Sequence, residues 1–211
     1  MPARRVATRE TEIKLRIADL LALRRTLRRL GATSLGRVLE RNALYDTPGG
    51  DLRRRGRLLR LRIETPAGLP GARGGSRRGV ITAKAPVRSP SGSRYKEKLE
   101  REREVRIPER WPSVLRALGM QPAFRYEKYR TAYRLPGLHL DLDETPVGDF
   151  LEIEGAPRGI DRAARALGFS PRDYIRGTYW DLYAAECRRR GRFPENMLFE
   201  AQKSAKRALF A

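Results

Sequence analysis

Carboxylate side chains recur in this sequence at a spacing of two residues. The acidic pairs at this spacing are Glu10/Glu12, Glu102/Glu104, Asp141/Asp143 and Glu152/Glu154. Side chains two residues apart on a β-strand point to the same face. Four or more carboxylates in one place cannot all ionise without a cation between them, and hard divalent ions such as Mg²⁺ or Mn²⁺ prefer oxygen ligands. The spacing therefore predicts a metal site wherever these strands meet.

Basic side chains alternate with apolar ones in the same way. The cations at such positions are Lys14, Arg60, Arg62, Lys84, Lys128 and Arg130. A guanidinium offers a planar fork to phosphate oxygens, and an ammonium group offers a compact point charge. A divalent metal beside basic groups is the usual equipment for phosphoryl transfer, in which catalysis is mainly positioning and charge stabilisation. The residue types thus favour a phosphorylated ligand.

These side chains must be positioned by strands whose other face is apolar. Ile13 and Leu15 alternate with the first acidic pair, and Leu151 and Ile153 alternate with the last. Amphipathic helices, the first closing at Gly31, separate the strands and predict an α+β chain dominated by antiparallel pairing. If the helices cover the apolar faces, the charged faces turn inward and enclose a wet cavity for an ionic ligand, because unpaired buried charges are very costly. The alternative is a set of ordinary solvated strand faces with cross-strand ion pairs, and the pattern alone leaves both open.

Composition limits the partners without choosing among them. The chain has 211 residues, with 46 Lys and Arg against 25 Asp and Glu, a net charge of +21 and a pI near 11.2. Such a field attracts polyanions. The single cysteine, Cys187, excludes an internal disulfide framework. No secretory signal and no run near the ~18 apolar residues of a membrane span occur, so we expect a cytoplasmic location and no membrane partner.

An ordered series of motifs resembles the CYTH superfamily, the triphosphate tunnel metalloenzymes, over roughly residues 8 to 183. The hallmark ExExK stands here as Glu10-Thr11-Glu12-Ile13-Lys14. It is followed by "LYDTPGGDLRRRGRLLRLR", "ITAKAP", "EREREV", "KYR", "LDLDE", "GDFLEIEG" and "TYWDLY". The resemblance implies an eight-stranded antiparallel closed β-barrel, a tunnel with helices packed outside and a small-molecule triphosphate bound within.

The resemblance also implies roles for individual residues. The Mg²⁺ or Mn²⁺ ligands would be Glu10, Glu12, Glu102, Glu104, Asp143, Glu152 and Glu154. The triphosphate ligands would be Lys14, Arg60, Arg62, Lys84, Lys128 and Arg130. Glu12 or Glu104 would be the catalytic carboxylate that orients or activates water. Because Glu100 shares the face of Glu102 and Glu104, the register of this strand could be displaced by two residues.

Three activities are compatible with this resemblance. The first is a metal-dependent triphosphatase acting on inorganic triphosphate, thiamine triphosphate or a nucleoside triphosphate. The second is a class IV adenylyl cyclase, which the sequence favours less because "ARRVATR" stands where the bacterial cyclases carry a His-Phe pair. The third is a non-catalytic binder of polyphosphate or nucleic acid, and nucleic acid is the less favoured of these two because the tyrosines do not form stacking pairs on a basic face.

The domain organisation follows from the same motifs. We expect one tunnel domain over residues 1–187 and a basic, helical tail over 188–211. The Gly- and Pro-rich segment 65–79 is predicted to be a mobile loop that gates one end of the tunnel. Oligomeric state and the identity of the triphosphate are not predicted.

Overall fold

The protein folds as a closed antiparallel β-barrel. The structure is a computed structural model, and it describes residues 8–68, 76–87 and 93–199. The strands are Thr8–Ile17 (β1), Thr33–Asp46 (β2), Leu58–Pro66 (β3), Arg78–Pro86 (β4), Lys96–Val105 (β5), Gln121–Leu135 (β6), Leu138–Thr145 (β7) and Gly148–Gly155 (β8). Their order around the barrel is β1-β5-β4-β3-β2-β6-β7-β8, and β8 pairs with β1 to close it. The predicted fold class is confirmed.

The helices of the described residues connect and cover the strands. They are Leu20–Arg29 (α1), Asp51–Arg54 (α2), Trp111–Ala117 (α3), Pro157–Ala166 (α4) and Tyr179–Arg189 (α5), with single 3₁₀ turns at Pro108–Arg110 and Pro171–Asp173. Within this part of the chain, no helix has both the length and the apolar composition needed to span a bilayer.

Helix α1 shows how the sequence covers the barrel. The Asp19 carboxylate accepts a hydrogen bond from the backbone N–H of Ala22 at 2.9 Å and so caps the first turn. Leu23 and Leu27 then recur at helical spacing and are buried against the barrel. Gly31 ends the helix with a φ of 78°, a left-handed conformation that favours glycine.

The apolar strand faces point outward into the helices. Ile13 and Leu15 of β1 are 2% and 0% exposed and lie in one core cluster with residues of β7, β8, α1 and α4, such as Ile160. A second cluster joins β2, β3 and β5 to Leu115 of α3. Every second residue of these strands packs into a core that the helices cover. The charged residues between them must therefore face the barrel interior.

Helix α5 and the residues after it are arranged differently from the other helices. Tyr179 of its first turn is buried with Phe124 of β6 and Phe150 of β8, two residues that share the inward parity of their strands. The α5 N-terminus therefore lies across one end of the barrel, where β6 and β8 begin. The chain continues to Met197, which is 0% exposed and forms a parallel bridge with Tyr126 of β6.

Two expectations about segments need adjustment. The tail was expected to be helical from residue 188, but α5 ends at Arg189 and residues 190–199 contain no helix, because Met197 pairs with a strand instead. Residues 200–211 lie outside the described residues. The segment 65–79 begins within β3 and ends within β4, and residues 69–75, on which its predicted gating depends, also lie outside them.

Candidate active site

The barrel encloses a cavity of about 310 Å³. Its charged lining comes from all the strands except β2, and α5 contributes to one end. The charged lining residues are Glu10, Glu12, Lys14, Arg60, Arg62, Lys84, Lys96, Lys98, Glu100, Glu102, Lys128, Arg130, Asp141, Glu152 and Glu154, with His139 beside them. The charged strand faces thus turn inward, and the interpretation as ordinary solvated faces does not apply to these residues.

Arg130 lies at the centre of an ionic network on β6, β7 and β8. Its Nη1 lies 2.6 Å from Asp141, and its Nη2 lies 2.6 Å from both Asp143 and Glu152. The neighbouring Lys128 is 2% exposed, and its ammonium lies 2.7 Å from Asp143. Cations held this rigidly by buried carboxylates are preorganised for an anionic ligand.

Arg60 and Arg62 of β3 form a second part of the cationic lining, separated from Lys128 and Arg130 of β6 by strand β2. Arg60 donates hydrogen bonds to Thr82 at 3.1 Å and to Glu102 at 3.2 Å, and Arg62 donates to Glu40 at 3.1 Å. The Nε–H groups of both arginines are buried and have no hydrogen-bond partner in the described residues. Such unpaired buried donors are costly unless a ligand accepts from them.

Lys14 of β1 and Lys84 of β4 complete the set of predicted triphosphate ligands. Lys14 lies 3.3 Å from Glu152 and donates to the carbonyl oxygen of Gly177 at 3.3 Å, with its ammonium 3.8 Å from the ring centre of Tyr179. Burial lowers the pKa of Lys14, outweighing the opposing charge of Glu152. Lys84 contacts Glu10 at 3.2 Å and also contacts Glu100. All six predicted triphosphate ligands therefore line one cavity.

Carboxylates of β1, β5 and β8 supply oxygen donors on the same wall. Glu12 of β1 stands opposite Glu154 of β8 in register, and the Glu154 side chain forms no hydrogen bond or ion pair with the described residues. Burial raises the pKa of Glu154, and the charge of Glu12 raises it further. Burial also raises the pKa of Glu100, which a hydrogen bond with Glu10 raises further. Like charges held together in this way are relieved by a divalent cation, so the donor set fits Mg²⁺ or Mn²⁺.

The side chains do not form a finished metal cage. In the described ranges, no group of three or more His, Cys, Asp or Glu residues is arranged to hold a metal ion. Glu12 forms an ion pair with Lys96 at 2.7 Å, and Glu10 forms one with Lys84. For a metal to bind Glu12 and Glu10, Lys96 and Lys84 would therefore have to leave these carboxylates and pair with a bound anionic ligand instead.

Two sequence-predicted metal ligands are placed where they fit the role poorly. Asp143 is 0% exposed, and both of its oxygens accept short hydrogen bonds, from Lys128, Arg130 and Tyr179. Asp143 is thus a buried counter-ion of the cations. Glu104 does not line the cavity: its side chain is 63% exposed and pairs with Arg78 at 3.1 Å.

The middle strand corrects the predicted register by two residues. Glu100, with 5% side-chain exposure, lines the cavity beside Lys84, and Glu102 lies at its edge with 39% exposure. The β5 residues predicted as ligands lie on the correct face of the strand, but the cavity is lined by residues two positions earlier along it. Glu104 therefore lies outside the cavity, and Glu100 is the β5 carboxylate that lines it next to Glu102.

Several residues in or beside the cavity were given no role in the predictions from sequence. Glu40 of β2 is fully buried beneath the cavity cations, and no clear signal for it exists in the sequence, because the charged Arg41 stands between Glu40 and Asn42 and interrupts the alternation. Lys96 and Lys98 share the parity of Glu100 but were given no role. Tyr179 lay in "TYWDLY", but helical periodicity alone does not indicate that a helix end enters a barrel.

Comparison with known proteins was made on sequence and on structure. A family model described as the CYTH domain matches residues 8–179. Among solved structures, a proposed adenylate cyclase from Vibrio parahaemolyticus has 19% identity and a TM-score of 0.67, with 84% of this chain and 98% of that chain covered. A protein from Pyrococcus horikoshii has 26% identity and a TM-score of 0.65 over 82% and 98% of the two chains.

A third solved structure is a proposed adenylyl cyclase from Hippeastrum that is described as having a dominant triphosphatase activity. It has 21% identity and a TM-score of 0.54, with 88% of this chain and 97% of that chain covered. No curated protein matches the chain significantly. At these sequence identities, the similarity to solved structures shows the fold. The family is shown by the match of residues 8–179 to the family model.

Proposed function

Because this chain belongs to the CYTH family, we propose that it is a metal-dependent triphosphatase that binds a small-molecule triphosphate inside its barrel. One observation carries the proposal. The closed barrel gathers six cations, Lys14, Arg60, Arg62, Lys84, Lys128 and Arg130, around a cavity that also holds paired carboxylates with raised pKa. Cations bind the anionic chain and carboxylates bind the metal, which together are the requirements of phosphoryl transfer.

Each part of the cationic lining has a task in this proposal. Arg60 and Arg62 donate their unpaired Nε–H groups to phosphate oxygens from one side of the cavity. Lys128 and Arg130, fixed by Asp143, hold the phosphates from the β6 side of the cavity. Lys14 and Lys84 neutralise the remaining charge, and the Glu10 partner of Lys84 becomes free for a metal.

Glu10, Glu12 and Glu154 are the residues we propose to hold Mg²⁺ or Mn²⁺, with Glu100 and Glu102 close to them on β5. When bound, the metal would polarise the phosphoryl group and help to position the attacking water. Glu12 is the proposed carboxylate that orients this water, since it lies between Lys96 and Glu154 on the cavity wall. Glu152 is better suited to holding Lys14 and Arg130.

Support for hydrolysis over cyclisation comes from two sources. The Hippeastrum protein of the same fold, at 21% identity, is described as having a dominant triphosphatase activity. The sequence also lacks the His-Phe pair that precedes ExExK in bacterial cyclases. The cyclase remains the second candidate because other proteins of this fold, including the one from Vibrio parahaemolyticus, are described as proposed adenylate cyclases.

The test is phosphate release from inorganic triphosphate, thiamine triphosphate and ATP, with Mg²⁺, Mn²⁺ or chelator. ATP is followed chromatographically, so that cyclic AMP is detected if it forms. Glu12→Gln and Glu154→Gln should each abolish metal-dependent release. Glu109→Gln is the matched control, because Glu109 is 47% exposed and pairs only with Arg77 among the described residues. Cyclic AMP as the main product would replace the proposal with the cyclase, and no turnover by the wild type would reject both.

A further inference from the structure

The carboxylate of Asp161, on α4, lies outside the barrel and binds three side chains. Its Oδ1 accepts a hydrogen bond from the Tyr174 hydroxyl at 2.9 Å, and its Oδ2 accepts one from the Tyr95 hydroxyl at 2.8 Å. The guanidinium of Arg94 donates to the same Oδ2. Burial raises the pKa of Asp161, but these three hydrogen bonds outweigh burial and lower it. A single anion therefore joins two tyrosines and an arginine, and none of these four residues lines the cavity.

The attachment of α4 to the barrel does not explain this arrangement. Ile160, Ala163 and Ala164 of α4 are buried in the core cluster that they share with β1, β7 and β8, and they hold the helix in place. The ion pair of Arg94 with Asp161 adds little, because the Arg94 side chain is 49% exposed and exposed ion pairs contribute little to stability. What the carboxylate does fix is the start of two chain segments, one at each tyrosine.

The first of these segments is the start of β5. Tyr95 comes directly before Lys96, and consecutive side chains of a strand point to opposite faces. The Tyr95 ring packs against the core outside the barrel, while the Lys96 ammonium lies inside, 2.7 Å from Glu12. A hydrogen bond at the Tyr95 hydroxyl thus fixes the backbone that carries Lys96.

This end of β5 has few other constraints within the described residues. Its pairing with β1 ends at the register pair of Lys96 with Glu12, and its pairing with β4 ends earlier, at the pair of Lys98 with Pro86. Lys96 therefore has a strand partner on one side only. The ends of a ladder open more easily than its middle. The anchor at Tyr95 lies where it keeps Lys96 aligned with Glu12.

The second segment is the chain that leads into α5. Tyr174 is followed by Ile175, whose backbone N–H donates to the carbonyl oxygen of Lys14 at 2.8 Å. The carbonyl oxygen of Gly177 accepts a hydrogen bond from the Lys14 ammonium at 3.3 Å. The two oxygens of Asp161 thus hold one segment that contacts Glu12 and another that contacts Lys14, and both of these residues belong to the ExExK motif of β1.

We propose that Asp161 is a positioning residue that acts on the cavity through Tyr95 and Lys96. The proposal rests on the proposed function, in which Glu12 binds metal and orients the attacking water. Lys96 then has to leave Glu12 and pair with the phosphate, and it reaches both partners only while the backbone that carries it stays in place. Through Tyr174 the same carboxylate steadies the segment before α5.

The experiment is a double-mutant cycle of Tyr95→Phe and Lys96→Met, measured as kcat/KM with Mg²⁺ for inorganic triphosphate, thiamine triphosphate and ATP. Tyr95→Phe should lower kcat/KM by about tenfold, a typical effect of removing a partner that orients a ligating group. In the Lys96→Met background the same change should matter by less than about twofold, because the route through Lys96 is gone. Asp161→Asn should lower kcat/KM at least as far as Tyr95→Phe, since it weakens both tyrosine contacts.

Tyr133→Phe is the control. Tyr133 packs against the same core cluster as Tyr95, but its hydroxyl makes no hydrogen bond to the described residues, so kcat/KM should not change. Two results would overturn the positioning role. One is an unchanged kcat/KM in both Tyr95→Phe and Asp161→Asn. The other is an equal loss from Tyr95→Phe with and without Lys96, which would mean a general structural effect.

Binding separates failure of this role from failure of the proposed function. If the wild type hydrolyses none of the three compounds, or Lys96→Met leaves too little turnover to measure, the same cycle is run on the calorimetric affinity for inorganic triphosphate. A loss of affinity in Tyr95→Phe that disappears in the Lys96→Met background supports the positioning role without the reaction. Additive losses would reject that role, and absence of binding to the wild type would reject both proposals.

Discussion

The Tyr179 hydroxyl donates a hydrogen bond to Oδ2 of Asp143 at 2.5 Å, and both groups are buried. The same carboxylate oxygen accepts from Lys128 and Arg130. This contact ties the first turn of α5 to the cations at the centre of the barrel. The position of the helix across the barrel end and the position of the cations proposed to bind phosphate are therefore coupled through one carboxylate.

Tyr179→Phe tests this coupling with the smallest possible change. Removing the hydroxyl deletes one hydrogen bond to a buried charged group, and we expect the free energy of unfolding to fall by about 1–3 kcal/mol. Urea denaturation measures the change. Tyr133→Phe is the matched control, since the Tyr133 hydroxyl makes no hydrogen bond to the described residues, and an equal loss in both variants would contradict the coupling.

Asp143→Asn distinguishes a buried counter-ion from a metal ligand. The amide keeps the size of the side chain but leaves Lys128 and Arg130 short of a negative charge in a buried site, which typically costs about 3–5 kcal/mol. We expect this loss of stability to be the same with Mg²⁺ and with chelator. A stability loss that is seen only with Mg²⁺ would restore Asp143 to the metal ligands predicted from sequence.

The buried carboxylate of Glu40 gives the fold a specific pH dependence. Burial raises its pKa, but the charges of Arg62, Lys128 and Arg130 outweigh burial and hold the pKa of Glu40 well below its usual range. A carboxyl group with a lowered folded-state pKa stabilises the protein above its unfolded pKa, about 4.3, and this contribution is lost as the pH falls toward the folded value. Glu40→Gln should therefore be much less stable than the wild type at pH 7.

The pH profile of this difference is the measurement. Denaturation midpoints of wild type and Glu40→Gln should converge as the pH is lowered from 5 toward 3, while Glu109→Gln should follow the wild type throughout. A difference between wild type and Glu40→Gln that stays constant with pH would mean that the amide disturbs packing, with no contribution from the carboxylate charge.

The inward charges could be anticipated from sequence because strand alternation assigns each side chain to a face, and Ile13 and Glu12 had to point to opposite sides. The closed barrel of eight strands was implied by the resemblance to the CYTH superfamily. Alternation does not report position along the barrel axis. Glu100 and Glu104 share a face but differ by about 13 Å at the usual rise of a strand, and this distance separates the cavity from its exposed rim.

Contacts that depend on pairing between distant elements were beyond the sequence. Asp143 has the residue type and parity of a metal ligand, and only the neighbouring strand and α5 show that its oxygens are occupied. The entry of Tyr179 into the barrel likewise depends on where α5 docks. Helical periodicity gives the apolar side of a helix but not the surface that it meets.

The register of β5 yields a prediction about activity. Glu100 lies in the cavity beside Lys84 and Glu10, whereas Glu104 lies outside it beside Arg78. Under the proposed function, Glu100→Gln should lower phosphate release by about 10- to 100-fold, as expected for a carboxylate beside the proposed metal ligands. Glu104→Gln, the same substitution on the same strand face, should stay near wild type. The reverse order would return the catalytic assignment to Glu104.

Glu154 links the metal to the stability of the fold. Burial and the adjacent charge of Glu12 raise the pKa of Glu154, so the ionised group destabilises the metal-free protein above its folded pKa. In chelator, Glu154→Gln should therefore melt at a higher temperature than the wild type at pH 7. Saturating Mg²⁺ or Mn²⁺ should reverse the order, because a ligand at a hundredfold excess over its Kd adds about 2.7 kcal/mol to the protein that binds it. Melting curves that shift equally with metal in both proteins would place the ion elsewhere in the cavity, away from the Glu12 and Glu154 pair.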